Sequence, residues 1–150
     1  MIATGSRALD FTLQDQNNKT VKISALKGKK VLLSFKPLAW TPVCGDHMKL
    51  LEENYAHFTE HNTIPLGIGV DSVPSNKAWA KSLGITHIRL LSDFWPHGEV
   101  ARLYGVFREN DGFPERANIL IDEERKVIFT TIYPTSLVPD IEEILEQLHK

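Results

Sequence analysis

Cys44 and His47 stand three residues apart, directly after Pro37-Leu38-Ala39-Trp40-Thr41-Pro42-Val43, and this is where side chains of the chain could make and break covalent bonds. A thiolate is a strong nucleophile, and its sulfur can be oxidised stepwise. Cys44 is the only cysteine, so no disulfide can form within the chain and no internal thiol can resolve an oxidised one. A lone cysteine is also commonly a small buried hydrophobe. The elements around Cys44 decide between the two readings.

Val31-Leu32-Leu33-Ser34-Phe35-Lys36 is a short apolar run of the kind that forms a buried strand. Pro37 and Pro42 then interrupt regular pairing. From Cys44 onward, Met48, Leu51, Tyr55 and Phe58 recur at spacings of three and four, the stripe of an amphipathic helix. Thr41 is available as its N-cap and Pro42 suits its first turn. Strand, tight loop and helix together place Cys44 among unpaired N–H groups at the positive end of the helix dipole. Such a position lowers a thiol pKa from about 8.5 into the range of roughly 3.5–7.5.

The rest of the chain supplies a frame for that unit. Phe11–Gln14 and Thr20–Ile23 flank Asp15-Gln16-Asn17-Asn18-Lys19 in the manner of a hairpin. Ile64–Val70 reads as a strand whose ends are blurred by Pro65 and its glycines. Asn76–Leu83 is helical with Gly84 as its C-cap, Ile88–Leu91 is a strand, and Glu99–Tyr104 is a short helix ended by Gly105. Arg116–Ile121 and Val127–Tyr133 alternate as an antiparallel pair, and Pro139–Lys150 carries Ile141, Ile144, Leu145 and Leu148 on one helical face. This order predicts an α/β, thioredoxin-like fold: an N-terminal β-hairpin and a mixed central sheet with helices on both faces. Trp79 and Trp95 are expected in core or interface, whereas Trp40 is expected to line the pocket at Cys44.

Bulk properties narrow the function classes. The 150 residues, 42% of them hydrophobic, suit one domain over residues 1–150 that buries about 68–70% of its unfolded surface. A net charge of −2 with interspersed signs gives no footprint for nucleic acid or an anionic membrane. Apolar runs fall far short of the ~20 residues of a membrane span, and Met1–Asp10 lacks the pattern of a secretory signal, so a cytoplasmic location is expected. Metal binding by Cys44, Asp46 and His47 has no second ligand pair at zinc-like spacing, and no metal or cofactor is expected.

Pro37, Thr41 and Cys44 match the Pro-x-x-x-Thr-x-x-Cys signature of the peroxiredoxins, the AhpC/TSA family, which this chain resembles over nearly its whole length. Ala8-Leu9-Asp10-Phe11-Thr12-Leu13 resembles the family's opening strand. Leu91-Ser92-Asp93-Phe94-Trp95-Pro96-His97-Gly98 with Tyr104-Gly105-Val106 resembles the one-cysteine, alkyl hydroperoxide reductase E-like subgroup. Arg116-Ala117-Asn118-Ile119-Leu120-Ile121-Asp122 stands where the family has Arg-x-Thr/Ser-x-x-x-Asp. Two positions depart from the pattern: His47 replaces the usual Glu, and Asn118 replaces the usual Thr or Ser.

The resemblance implies a thiol peroxidase that reduces hydrogen peroxide, alkyl hydroperoxides or peroxynitrite. Cys44 would be oxidised to sulfenic acid and recycled by an external thiol: thioredoxin, glutaredoxin, mycoredoxin or a small thiol. It assigns Arg116 to the thiolate and the peroxide oxygen, Thr41 to the incoming hydroperoxide, and Pro37 to shielding the sulfur. It also implies a homodimer, with the loops around Trp40 and Phe94-Trp95-Pro96 as interface candidates. Two other readings compete. The i+3 spacing makes a Cys44/His47 pair conceivable, as in a thiol hydrolase or transferase, although no orienting Asp or Asn is identifiable. The third reading is a non-catalytic thioredoxin-like redox sensor. Within the leading reading His47 is a local modulator or a solvated helix residue.

Overall fold

The computed structural model describes residues 1–150. In chain order it runs β1 (Thr12–Gln14), β2 (Thr20–Lys22), a 3-10 turn (Ile23–Leu26), β3 (Lys30–Phe35), α1 (Pro42–Glu53), α2 (Tyr55–Glu60) and β4 (Thr63–Gly69). It continues with α3 (Val73–Leu83), β5 (Arg89–Ser92), α4 (Glu99–Leu103), β6 (Phe107–Arg108), β7 (Phe113–Pro114), β8 (Arg116–Ile121), β9 (Val127–Tyr133) and α5 (Ile141–Leu148). One seven-stranded sheet has the order β2-β1-β5-β4-β3-β8-β9, and β6 and β7 form a separate ribbon. β3, β4 and β5 are parallel, while β8 and β9 close one side antiparallel and the β1–β2 hairpin closes the other. This is the expected thioredoxin-like layout.

Side chains alternate across a strand, so β3 and β8 each serve both faces of the sheet. Val31, Leu33 and Phe35 of β3 and Ala117, Ile119 and Ile121 of β8 join a core with Phe11, Val100, Ala101 and Tyr104, under α4 and the N-terminal segment. Leu32 and Leu120 face the other way, into a core with Cys44, Met48 and Leu51 of α1, Phe58 of α2, Trp79 of α3 and Ile144 of α5. Helices therefore cover both faces. The glycines of β4 belong to this packing: a Cβ at Gly67 would stand 2.5 Å from Met48 Sδ, and one at Gly69 2.5 Å from Lys36 Nζ.

Three local features differ from the sequence expectation. The stripe from Cys44 to Phe58 is two helices, because the chain breaks at Asn54 (φ −102°, ψ 12°), whose side-chain amide donates to Leu50 O at 2.9 Å. An Asn side chain that competes for backbone groups favours such a break. α3 begins earlier than predicted, with Ser72 Oγ accepting from Ser75 N and Pro74 in the first turn; the capping residue was the overlooked signal. Trp79 is buried, but Trp95 is 82% exposed and forms no part of the core.

Candidate active site

Cys44 lies in the first turn of α1, where Pro42 starts the helix and Thr41 is the N-cap. The first backbone bond runs from Gly45 N to Thr41 O (2.9 Å), and neither the Val43 nor the Cys44 amide has a backbone acceptor. Those free donors and the helix dipole favour negative charge at the sulfur. Cys44 is 1% exposed and borders a cavity of about 280 Å³ walled by Pro37, Leu38, Thr41, Pro42, Val43, Phe113, Arg116 and Thr135. Thr41 caps by position only: its hydroxyl donates to Leu38 O at 2.8 Å, which leaves the oxygen lone pairs available.

Arg116 arrives from β8, far along the chain, and is buried rather than a solvated strand-end charge. The pairing Phe35↔Ala117 brings the start of β8 beside the end of β3 and so beside the loop that carries Cys44. Arg116 Nη2 donates to Cys44 Sγ at 3.1 Å and to Thr135 O at 2.9 Å, and Nε donates to Thr135 O at 3.2 Å. Nη1 contacts His47 Nδ1 at 2.9 Å. A guanidinium has five donors, so one Nη1 proton is left without a protein acceptor. Pro37, Thr41, Cys44 and Arg116 thus meet around one cavity.

His47 corrects the reading of a solvated helix residue. It is 1% exposed, with Nε2 2.6 Å from Ser34 Oγ, so both ring nitrogens are engaged and neither faces the sulfur. The Cys44/His47 pair allowed by the spacing is not formed. Burial, reinforced by the charges of Arg116 and Lys36, holds the His47 pKa well below the usual imidazole range. Trp40 is also corrected: it lines a neighbouring groove with Lys49 and Trp79 instead of the cavity at Cys44, and its Nε1 donates to Ser75 Oγ at 3.0 Å.

Lys36 is the functional candidate that sequence reasoning missed. Its ammonium is buried, 3.1 Å from Asp71 Oδ2 and 4.8 Å from the centre of the Trp79 ring. Burial pushes its pKa down against the pull of Asp71. The same Asp71 oxygen accepts from Ala39 N at 2.9 Å, so the pair pins the loop between β3 and α1 and adds a second cation near the sulfur. The signal was present in the alternation Leu32, Ser34, Lys36, which turns the lysine toward the core face.

Comparison with known proteins places the chain, as a whole, beside peroxiredoxins. The AhpC/TSA family model matches residues 4–130. Alkyl hydroperoxide reductase E of Mycobacterium tuberculosis is 38% identical over 141 residues, covering 93% of this chain and 92% of the relative. The putative peroxiredoxin sll0755 of Synechocystis is 31% identical over 99% of the chain and 78% of its own length. Among solved structures, AhpC of Enterococcus faecalis superposes with a TM-score of 0.90 at 26% identity over 99% of this chain and 92% of that one. Peroxidoxin BcpB of Mycobacterium tuberculosis gives 0.87 at 29% identity over 99% and 97%.

Proposed function

The chain belongs to the AhpC/TSA family and is a thiol-dependent peroxidase with one cysteine, and from that premise we propose that Cys44 is its peroxidatic residue, with Arg116, Thr41 and Pro37 completing the site. The observation that carries this assignment is the 3.1 Å contact from Arg116 Nη2 to Cys44 Sγ at the start of α1. The thiolate attacks the nearer oxygen of the O–O bond in line. The S–O bond forms as the O–O bond breaks, sulfur supplies the electron pair, and the leaving group departs with the O–O electrons: hydroxide or alkoxide, which takes up a proton, or nitrite from peroxynitrite.

Catalysis of this step needs a raised thiolate fraction, an oriented O–O bond and donors aimed at developing charge. Arg116 serves the first and third, because its charge is permanent and one Nη1 proton remains for the peroxide. Thr41 serves the second: with its own proton committed to Leu38 O, its hydroxyl is an acceptor for the hydroperoxide O–H. Pro37 has no N–H and walls the sulfur from water.

The product is the Cys44 sulfenic acid, which an external thiol reduces by expelling water to give a mixed disulfide that a second thiol cleaves. Thioredoxin, glutaredoxin, mycoredoxin and small thiols fit this role, and hydrogen peroxide, alkyl hydroperoxides and peroxynitrite are the substrates. The protein acts as one domain over residues 1–150, in the cytoplasm, as a homodimer. The exposed Phe94 and Trp95 support the last point, since large aromatic side chains favour interfaces. No helix is long and apolar enough to cross a membrane.

Stopped-flow Trp fluorescence of the reduced protein with several peroxides, followed by mass measurement, tests the assignment. One oxygen atom gained at Cys44, at the rate of the fluorescence change, is the expected result. A fluorescence change with an unmodified Cys44 would overturn it.

A further inference from the structure

We infer that His47, Ser34 and Asn118 form one directional hydrogen-bonded relay that positions Arg116 against Cys44. Of the proposed function, this rests only on Arg116 supporting the Cys44 thiolate. The argument begins with the direction of each proton. A guanidinium only donates, so the 2.9 Å contact from Arg116 Nη1 requires a lone pair on His47 Nδ1. The ring is neutral in its buried site, so its proton sits on Nε2 and is donated to Ser34 Oγ at 2.6 Å. Ser34, having accepted, donates its own proton to Asn118 Oδ1 at 2.7 Å. Beyond Asn118, the Tyr133 hydroxyl of β9 donates to Glu143 Oε1 of α5 at 2.7 Å.

Every proton in this chain points away from Arg116: the guanidinium demands that direction at one end, and the Asn118 acceptor sustains it at the other. Ser34 and Asn118 are cross-strand partners in β3 and β8, so the strand register fixes their contact. His47, Ser34 and Asn118 are all at most 2% exposed, so solvent cannot substitute for a lost partner. If Asn118 offered no acceptor, the Ser34 hydroxyl would be free to turn and donate to His47 Nε2. The imidazole proton would then move to Nδ1, where it meets the Nη1 proton of Arg116, and the guanidinium would lose its seat beside the sulfur. Positions 47 and 118, at which the chain departs from the pattern it resembles, are thus the two ends of one bonded unit. A neutral imidazole also leaves the guanidinium charge uncompensated toward Cys44, whereas a carboxylate at 47 would draw on it.

The charged and titratable groups packed around this unit are Arg116 from β8, Lys36 after β3, Tyr133 from β9 and Glu143 from α5; Asp71 is held by Lys36. The test therefore reads thiolate formation at Cys44 as iodoacetamide alkylation rate against pH, which needs no peroxide, beside the second-order rate with hydrogen peroxide. Asn118→Leu and His47→Leu should each move the thiolate midpoint upward and slow peroxide reduction about tenfold, the scale of one lost hydrogen bond to a charged group. The double variant should be no slower than either single one, because the relay is already broken. Ser34→Ala repeats the Asn118 test with almost no change in volume, should the leucine not fold. Asn118→Thr and His47→Gln, which keep an acceptor at each end, should recover most of the loss. Wild-type alkylation and peroxide rates in Ser34→Ala, or independent multiplying losses in the double variant, would overturn the relay. A wild-type Cys44 that alkylates but does not react with hydrogen peroxide, with the relay variants still shifting the alkylation midpoint, would overturn the peroxidatic assignment instead.

Discussion

The two faces of β3 and β8 are made from alternate residues of the same strands, yet they do different work. On one face the paired strands present Val31, Leu33 and Phe35 against Ala117, Ile119 and Ile121, all apolar and fully buried. On the other, Leu32 and Leu120 give way along the sheet to Ser34 opposite Asn118, and then to Lys36 and Arg116. The second face starts as a core and becomes the proposed reaction site within two residue pairs. Its polar groups are tolerated because each has a partner: Arg116 has Thr135 O, His47 and Cys44, while Lys36 has Asp71. The difference teaches that stability and chemistry are separated here by strand parity rather than by distance, and substitutions of opposite parity should separate them in experiment.

The largest effect is expected from Cys44→Ser. A serine hydroxyl stays un-ionised near neutrality, so peroxide consumption should vanish while circular dichroism and the melting temperature remain close to wild type. Turnover by the folded serine variant at the wild-type rate would falsify the assignment of the polar face to chemistry. Stoichiometry sharpens the same point. Without added reductant the wild-type protein should consume about one equivalent of peroxide and stop, since the sulfenic acid has no thiol partner in the chain. Sustained turnover in a peroxide electrode trace without any thiol would be inconsistent with the cycle.

Arg116→Met comes next. It removes a cation from the sulfur and a donor from the peroxide, so the second-order rate should fall about 10²–10³-fold, more than the lost thiolate fraction explains. Thiolate absorbance against pH, measured beside the rate, separates the two contributions. Equal losses in both would mean that Arg116 acts on the thiol alone.

Ile119→Ala crosses to the apolar face of the same strand. Deleting a fully buried isoleucine should cost about 2–5 kcal/mol in urea unfolding. The peroxide rate per folded molecule should not change, and a rate loss comparable to that of Arg116→Met would break the division by parity.

The smallest expected effect concerns pH. Glu52, near the end of α1 remote from Cys44, accepts from the Thr86, His87 and Ile88 amides and from the His87 side chain. Burial works against its ionisation, but the Ile88 amide, the His87 side chain and the other donors outweigh it and bring its pKa from 4.5 to about 2. A depressed carboxyl pKa stabilises the fold above the unfolded value and loses that contribution as pH falls through the folded one. Wild-type stability should therefore decline between pH 4.5 and about 2. Glu52→Gln should be less stable at pH 7 and show a flatter profile across that window, read from urea midpoints.

Local chemistry was legible in the sequence wherever a single residue dictates it. Thr41-Pro42 marked the start of α1, Gly84 its place at the end of α3, and the alternation in 116–121 and 127–133 the β8–β9 pair, whose boundaries the structure reproduces. The grouping of Pro37, Thr41, Cys44 and Arg116 came from a family signature, because periodicity cannot say that residues 44 and 116 meet. Only the tertiary structure decided what His47, Asn118 and Lys36 contact. Helical spacing puts His47 on one side of α1, and strand alternation gives Ser34 and Asn118 a parity, but whether that side of the helix lies on that face depends on how the whole chain packs. A hydrogen bond needs its donor and acceptor within about 3 Å. That distance is set by register and packing between segments far apart in the chain, which no local pattern contains.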